Sequence, residues 1–223
     1  MKRAFDVLAA ACGLLLTSPL LLLVAMWVKL DSPGPVFYRG LRIARGGGTF
    51  RIFKFRSMSQ HAEQSGGSST SGSDTRVTRS GRVIRRFKLD ELAQLLNVLL
   101  GDMSLVGPRP EVLQYRPLYN GPYAAILDVR PGITDWASIW NRDEASVLAG
   151  HPDADKAYET LIQPTKLALQ LRYVQERSFW IDVTILVDTL RALRNPHYCP
   201  AALRGVSPLQ PINPTASFTT RSP

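Results

Sequence analysis

Residues 7–28 read VLAAACGLLLTSPLLLLVAMWV, and no charged side chain interrupts them. A helix needs roughly twenty apolar residues to span the hydrocarbon core of a bilayer, so this run predicts membrane insertion. Lys2 and Arg3 precede it, and Lys29, Arg39, Arg42, Arg45, Arg51, Lys54 and Arg56 follow it. Basic residues collect on the cytoplasmic side, so both ends read as cytoplasmic. In the middle stands Ser18-Pro19, where Pro19 removes a backbone donor and Ser18 can offer its hydroxyl to a freed carbonyl. The pattern admits a helix that bends there and returns to the face it entered, and equally a spanning helix with a harmless proline. A cleaved signal peptide fits worse. Leu8-Ala9-Ala10-Ala11-Cys12 resembles a lipoprotein cleavage site, but the apolar stretch before it is too short and leucines continue long after it.

The chain has 223 residues, 45% of them hydrophobic, enough for one ordinary core. Its formal charge of +9 calls for an anionic partner: nucleic acid, anionic lipid or a phosphorylated substrate. No basic recognition helix or aromatic-basic module supports nucleic acid. Cys12 and Cys199 lie too far apart for a metal pair and form no disulfide framework, which fits a reducing compartment. His61, His151 and His197 stand alone in polar or Pro-rich surroundings and read as solvated loop residues.

Beyond a turn cluster at Asp31-Ser32-Pro33-Gly34-Pro35, Val36–Tyr38 and Phe50–Phe55 predict a β-hairpin, with Arg45-Gly46-Gly47-Gly48-Thr49 as its turn. The glycines lack a Walker ending and serve as a plain turn. Ser57 to Ser73 reads as a mobile loop. Leu89, Leu92, Leu96 and Leu99 predict an amphipathic helix over 88–100 that stops at Gly101, with Asp90, Gln94 and Asn97 on its opposite stripe. The chain is then turn rich to Pro164. Helices follow at about Thr165–Glu176 and, capped by Ser178, Phe179–Leu193. Phe179 and Trp180 suit either a core or a membrane headgroup level. The fold class is therefore α+β and mainly helical: a membrane helix over 1–30, a compact domain with amphipathic interfacial helices over 31–195, and a disordered tail over 196–223.

Asp90-Glu91 is the strongest chemical candidate. Acidic residues often open helices for electrostatic reasons alone. This pair, however, follows Arg79, Arg82, Arg85, Arg86 and Lys88, and Arg109 sits between two prolines downstream. Carboxylates among guanidinium groups suit phosphate transfer: cations hold the phosphates, a divalent ion bridges carboxylate and phosphate, and one carboxylate attacks phosphorus. The bland alternative for the arginines is a solvated or lipid-facing surface. For the whole protein it is a non-catalytic membrane scaffold binding anionic lipid or partner enzymes.

The chain resembles the bacterial sugar transferase family, specifically its small monotopic phosphoglycosyl transferases, from Lys2 to about Leu193. The resemblance rests on Lys2-Arg3-Ala4-Phe5-Asp6, Ser18-Pro19, Phe53-Lys54-Phe55-Arg56-Ser57-Met58, Leu89-Asp90-Glu91-Leu92, the run from Asn97 through Gly107-Pro108-Arg109-Pro110-Glu111, and Arg130-Pro131-Gly132-Ile133-Thr134. It implies that Asp90 is the nucleophile, which takes the sugar phosphate from a UDP-sugar, and that Glu91 completes a Mg2+-dependent dyad. It implies that Lys54, Arg85, Arg109 and Arg142 surround the diphosphate, that Ser18-Pro19 breaks a re-entrant helix, and that the acceptor is polyprenol (undecaprenyl) phosphate. The catalytic domain would face the cytoplasm from the bacterial inner membrane, among membrane lipids, with a homo-oligomer compatible with the sequence. One departure stands out: where many relatives follow Pro-Gly-Ile-Thr with glycine and later glutamine, this chain has Asp135 and Ser138, which bears on sugar or base preference.

Overall fold

The computed structural model describes residues 1–60, 62, 74–148, 151, 153–195 and 197–206. The apolar run forms one helix, α1 (Lys2–Asp31), which stays helical through Pro19, so the break expected at Ser18-Pro19 is not a gap in the helix. The Ser18 hydroxyl donates to the Leu15 carbonyl at 2.8 Å. That is the acceptor, four residues back, which the missing Pro19 N–H leaves without its helical partner.

Both halves of α1 dock on the rest of the protein. Ahead of the proline, the Arg3 guanidinium reaches the carbonyls of Met103 and Leu99 at 3.3 Å, and buried Asp6 accepts from the Ser104 hydroxyl at 2.8 Å. Beyond it, Val24 and Val28 pack with Phe55 and Ile84. Buried Arg56 donates to the carbonyls of Ser32 and Pro33 at 2.7 and 2.5 Å. Between these anchors Leu15, Leu16, Leu20, Leu22 and Leu23 are exposed.

The predicted hairpin is a two-tiered one. Strands β1 (Phe37–Tyr38) and β4 (Lys54–Phe55) pair antiparallel, as do β2 (Leu41–Ile43) and β3 (Thr49–Arg51). Between the tiers the Asn97 amide takes over from the ladder, accepting from Phe53 N at 2.7 Å and donating to Arg51 O at 3.0 Å. Gly46 and Gly47, both at φ above +70°, make the turn.

The helix expected over 88–100 is divided. Helix α2 (Arg79–Arg86) is capped by Thr78, Lys88 adopts a left-handed conformation at φ 56°, a 3-10 turn covers Leu89–Glu91, and α3 (Gln94–Leu100) ends on Gly101 at φ 98°. The helical stripe is present, but its leucines are not the buried face: Leu89, Leu92 and Leu96 are half-buried. Asp90, Gln94 and Asn97 are buried, and Leu99 and Leu100 are exposed.

Strand β5 (Ser104–Val106) pairs in parallel with β6 (Gly132–Thr134). The chains approach so closely beyond it that a Cβ on Gly132 would lie 2.1 Å from Gly107 N, so neither glycine tolerates a side chain. The stretch expected to be turns contains 3-10 segments at Leu113–Leu118 and Gly121–Asp128, then short helices α4 (Trp136–Trp140), α5 (Glu144–Leu148) and α6 (Ala154–Ala157). A wide π turn, Tyr158–Ile162, leads into α7 (Gln163–Glu176), and Ser178 caps α8 (Phe179–Arg194). The last two helices lie within two residues of their expected bounds.

The main core joins Ala10 of α1, Val98 of α3, Trp136 of α4, Leu169 of α7 and Ile185 of α8. Helix α8 buries Asp182 and Asp188 together with Ile185 and Ala192, while Phe179, Trp180, Val187, Leu190 and Leu193 are exposed. The segment expected to begin a disordered tail packs instead, as far as Val206. Leu203 is buried in the main core, and Arg172 donates to the Ala202 carbonyl at 2.8 Å. The tail beyond Val206, His61 and most of the expected Ser57–Ser73 loop lie outside the described residues.

Candidate active site

Strand β4, the 3-10 turn after α2 and the Pro108-Arg109-Pro110 segment converge on one cluster of charge. The Lys54 ammonium lies 2.9 Å from Asp90 Oδ2 and 3.7 Å from Glu91 Oε1. Arg109 grips Glu91 with both arms, Nη1 on Oε2 at 3.1 Å and Nη2 on Oε1. Asp90 is only 2% exposed, and its second oxygen, Oδ1, is buried without a hydrogen-bond partner. Burial alone would raise the Glu91 pKa, but Arg109, Lys54 and Lys88 outweigh it and bring the group down to about 2. Glu91 is therefore held ionised, and Glu91 in turn raises the pKa of Arg109 despite burial.

The Arg109 backbone is pinned on several sides. Its N–H donates to Asp135 Oδ2 at 3.2 Å and its carbonyl accepts from Gln170 at 3.2 Å, while its guanidinium also donates to the Ile133 carbonyl at 3.2 Å. The flanking prolines preset φ, so the planar fork is aimed at little entropic cost. Asp135 is wholly buried and caps α4. Its Oδ1 accepts from both the backbone N–H and the hydroxyl of Ser138 at 2.6 Å.

Behind this segment lies a second cluster. Glu111 Oε1 accepts from the Tyr158 hydroxyl at 2.6 Å and pairs with the Lys166 ammonium, which itself donates to Tyr158 at 2.9 Å. Burial would raise Glu111, yet Lys166 and then Tyr158 hold its pKa below the usual carboxylate value.

Of the residues singled out from sequence, Lys54, Asp90, Glu91 and Arg109 meet. Arg85 lies near enough to Asp74 to lower its pKa, and Arg142 donates to the Tyr198 carbonyl at 2.6 Å. Arg79, Arg82, Arg86 and Lys88 are exposed. The residues that sequence reasoning left unassigned are Gln170, Glu111, Lys166 and Tyr158, and Asp135, read as bearing on sugar or base preference, instead caps α4 and holds the Arg109 N–H. Lys166 and Gln170 stand four apart, a spacing that reads as easily as a solvated helix face, so the sequence held no usable signal for them.

Among the described residues no three His, Cys, Asp or Glu side chains gather to hold a metal. Mg2+ commonly takes only one or two protein carboxylates and draws the rest of its shell from phosphate and water. The unpaired Asp90 Oδ1 beside Glu91 fits such a shared site.

A carboxylate with one oxygen anchored to a cation and the other unpaired, beside an arginine fork, is suited to handling a phosphate. Comparison with known proteins agrees with that chemistry. Over 196 residues the chain is 41% identical to the UDP-N-acetylgalactosamine-undecaprenyl-phosphate N-acetylgalactosaminephosphotransferase of Aeromonas hydrophila, covering 86% of this chain and 43% of that protein. It is 40% identical to the UDP-glucose:undecaprenyl-phosphate glucose-1-phosphate transferase of Caulobacter vibrioides, covering 86% of this chain and 69% of that one. It is 39% identical to the uncharacterized sugar transferase EpsL of Bacillus subtilis, covering 86% of each. The chain thus spans less than half the length of the first relative and most of the other two. The family model described as bacterial sugar transferase matches residues 1–195, from the start of α1 to the end of α8, and the chain belongs to that family.

Proposed function

We propose that this protein transfers a sugar 1-phosphate from a UDP-sugar to undecaprenyl phosphate through a covalent phosphosugar on Asp90, the first step in assembling a lipid-linked glycan. The observation that carries the reading is the asymmetry of Asp90, with Oδ2 held by Lys54 at 2.9 Å and Oδ1 buried and unpartnered. In the first displacement Asp90 Oδ1 bonds to the sugar-bearing phosphorus and the bond from that phosphorus to the UMP oxygen breaks, the electron pair leaving with UMP. In the second, an oxygen of polyprenyl phosphate bonds to the same phosphorus and the Asp90 ester bond breaks, restoring the carboxylate. Lys54 and Arg109 hold charge close to both transfers. Asp90 lies in a 3-10 turn rather than in the first turn of an α-helix, so Lys54 supplies the stabilisation that the sequence had suggested from a helix dipole. Asp90 and Glu91 would hold Mg2+, which would supply neutralisation of the charge on the phosphate oxygens.

The placement of α1 supports a re-entrant reading. A 30-residue helix is about 45 Å long, enough to cross a bilayer. Yet Arg3 and Asp6 at one end and Val28 and Ser32 at the other are tied to the same domain, and the exposed apolar side chains of the helix, the leucines around Pro19 together with Leu8, Met26, Trp27 and Leu30, are left for lipid. Exposed apolar residues on α3 and α8 would rest on the same membrane face, here taken as the cytoplasmic face of the bacterial inner membrane. That arrangement brings a water-borne donor and a lipid phosphate to one site.

The test is purified protein incubated with Mg2+, polyprenyl phosphate and a donor panel that includes UDP-glucose and UDP-N-acetylgalactosamine. UMP release with a lipid-extractable diphosphate sugar is expected, and silence across the panel would overturn the reading. For topology, single cysteines at Lys2 and Ser32 should label from the same side of the membrane, and opposite accessibility would rule re-entry out.

A further inference from the structure

The polar stripe of 90–97 is only partly explained by the site described above. Asn97 is tied to Phe53 N and Arg51 O, and Asp90 to Lys54. Gln94 lies between them along the chain, and the residues that fasten its two neighbours, Phe53 and Lys54, are adjacent. The buried side of this stretch therefore lies against residues 53–54, and Gln94 sits on it, one helical turn beyond Asp90. Gln94 is 0% exposed, and neither its Nε2 nor its Oε1 has a hydrogen-bond partner. Leaving a buried amide unpaired is costly, and native proteins seldom do so without reason. Both amide atoms are unpaired, so the argument does not depend on which way the amide is flipped. The other unpartnered side-chain atom of this buried stripe is Asp90 Oδ1.

We propose that Gln94 is a further substrate-contacting residue, whose amide N–H donates to a non-bridging oxygen of the phosphoryl group that Asp90 attacks. This rests on the reading of Asp90 above. Gln94 neither gains nor loses a proton: it binds the β-phosphate in the ground state and follows the charge on its oxygens as the Asp90–phosphorus bond forms and the bond to UMP breaks. A neutral, buried donor amide offers the phosphoryl oxygens a hydrogen bond without placing a further fixed cation beside Asp90.

The experiment uses the full chain in detergent or nanodiscs with Mg2+. The probe is UDP, which carries the β-phosphate without any sugar, and UMP, which lacks that phosphate, is the control. Gln94→Leu keeps the volume and removes the orphan polar atoms, so it should fold with unchanged or higher thermal stability. It is expected to bind UDP about tenfold more weakly, the equivalent of losing one useful hydrogen bond, with UMP affinity unchanged. Gln94→Glu, which replaces the donor by an anion, should lose more. Wild-type UDP affinity in a stable Gln94→Leu protein would overturn the proposal and leave Gln94 as a holder of buried water. Equal losses for UDP and UMP would overturn it too. UDP binding needs no covalent adduct, so this result stands apart from the fate of the nucleophile assignment. A wild-type protein that binds no UDP would sink both.

Discussion

Two carboxylate clusters lie about twenty residues apart in this chain, and they are built to opposite ends. Glu111, Lys166 and Tyr158 form a closed triangle in which every pair of members is bonded. The Lys54–Asp90–Glu91–Arg109 cluster is open: Glu91 is fully gripped, but Asp90 keeps one buried oxygen free. Closure makes a cluster a strut, because its charges have nothing left to offer. An unfilled valence at the end of an otherwise rigid chain of contacts makes a site. The strut holds the Pro108-Arg109-Pro110 segment from behind, and that segment presents the fork that clamps Glu91.

Breaking the open cluster should abolish activity and spare the fold. Asp90→Asn keeps the shape and removes the nucleophilic carboxylate, so turnover should fall by about 10⁴-fold or more. Intact-protein mass after incubation with UDP-sugar and Mg2+, without acceptor, should show the phosphosugar adduct in wild type and none in this variant. An adduct on Asp90→Asn would remove Asp90 from the role. Glu91→Gln should also be severely slowed while retaining a trace of adduct, because the attacking group remains.

Breaking the closed cluster should do the reverse. Glu111→Gln leaves the Lys166 ammonium buried without its counter-charge and should cost about 3 to 5 kcal/mol of stability. Glu111 has its pKa lowered from 4.5 in the folded state, so its contribution is fully present above pH 4.5 and is lost as pH falls through the lower folded value. Denaturant melts of wild type between pH 6 and pH 3 should therefore show a loss that Glu111→Gln lacks. Parallel pH profiles for the two proteins would mean the triangle is not a strut.

Arg109 belongs to the open cluster but is mounted on the closed one, and it sharpens the contrast. Arg109→Lys keeps the charge and loses the fork, so stability should hold within about 1 kcal/mol while turnover falls by about 10²-fold. An unchanged rate would make Arg109 merely structural.

The sequence revealed these two clusters unequally. Asp90-Glu91 was legible because adjacent carboxylates downstream of a run of arginines are unusual, and Arg109 because two prolines frame it. Lys54 came only through the family resemblance. Glu111 stood in plain view beside Arg109, but its partners Lys166 and Tyr158 are 55 and 47 residues away, and nothing local announces a pairing of that span. The fold was legible where period and caps agree, as at Ser178 before α8 and Gly101 after α3. It was misread at Lys88, where a left-handed residue divides a run of good helix formers, and read incompletely in the hairpin, where β1 pairs β4 as expected but β2 was missed and the distant Asn97 side chain bonds the Arg51–Phe53 backbone between the tiers. The leucine stripe gave the right period but not the right face: Leu89, Leu92 and Leu96 are half-buried and Leu99 is exposed, while Asp90, Gln94 and Asn97 are buried.

The smallest expected effect concerns Ser138, which together with Asp135 departs from the commoner family pattern and for that reason bore on donor preference. The geometry gives both residues a nearer task. Asp135 caps α4 and holds the Arg109 N–H, and the Ser138 hydroxyl donates to the Asp135 oxygen that also accepts from its own backbone N–H. Ser138→Ala removes one hydrogen bond to a buried carboxylate and leaves the backbone cap in place, so the loss of stability should be about 1.5 kcal/mol. Arg109 is held by Gln170 and by the Glu91 clamp as well, so turnover should change by less than about threefold, an effect under 0.7 kcal/mol. The ratio of rates with UDP-glucose and UDP-N-acetylgalactosamine is the discriminating measurement. A capping pair acts on every donor alike and leaves that ratio unchanged, whereas a Ser138→Ala protein that reorders its donors would place this hydroxyl against the sugar or base and return the departure to specificity.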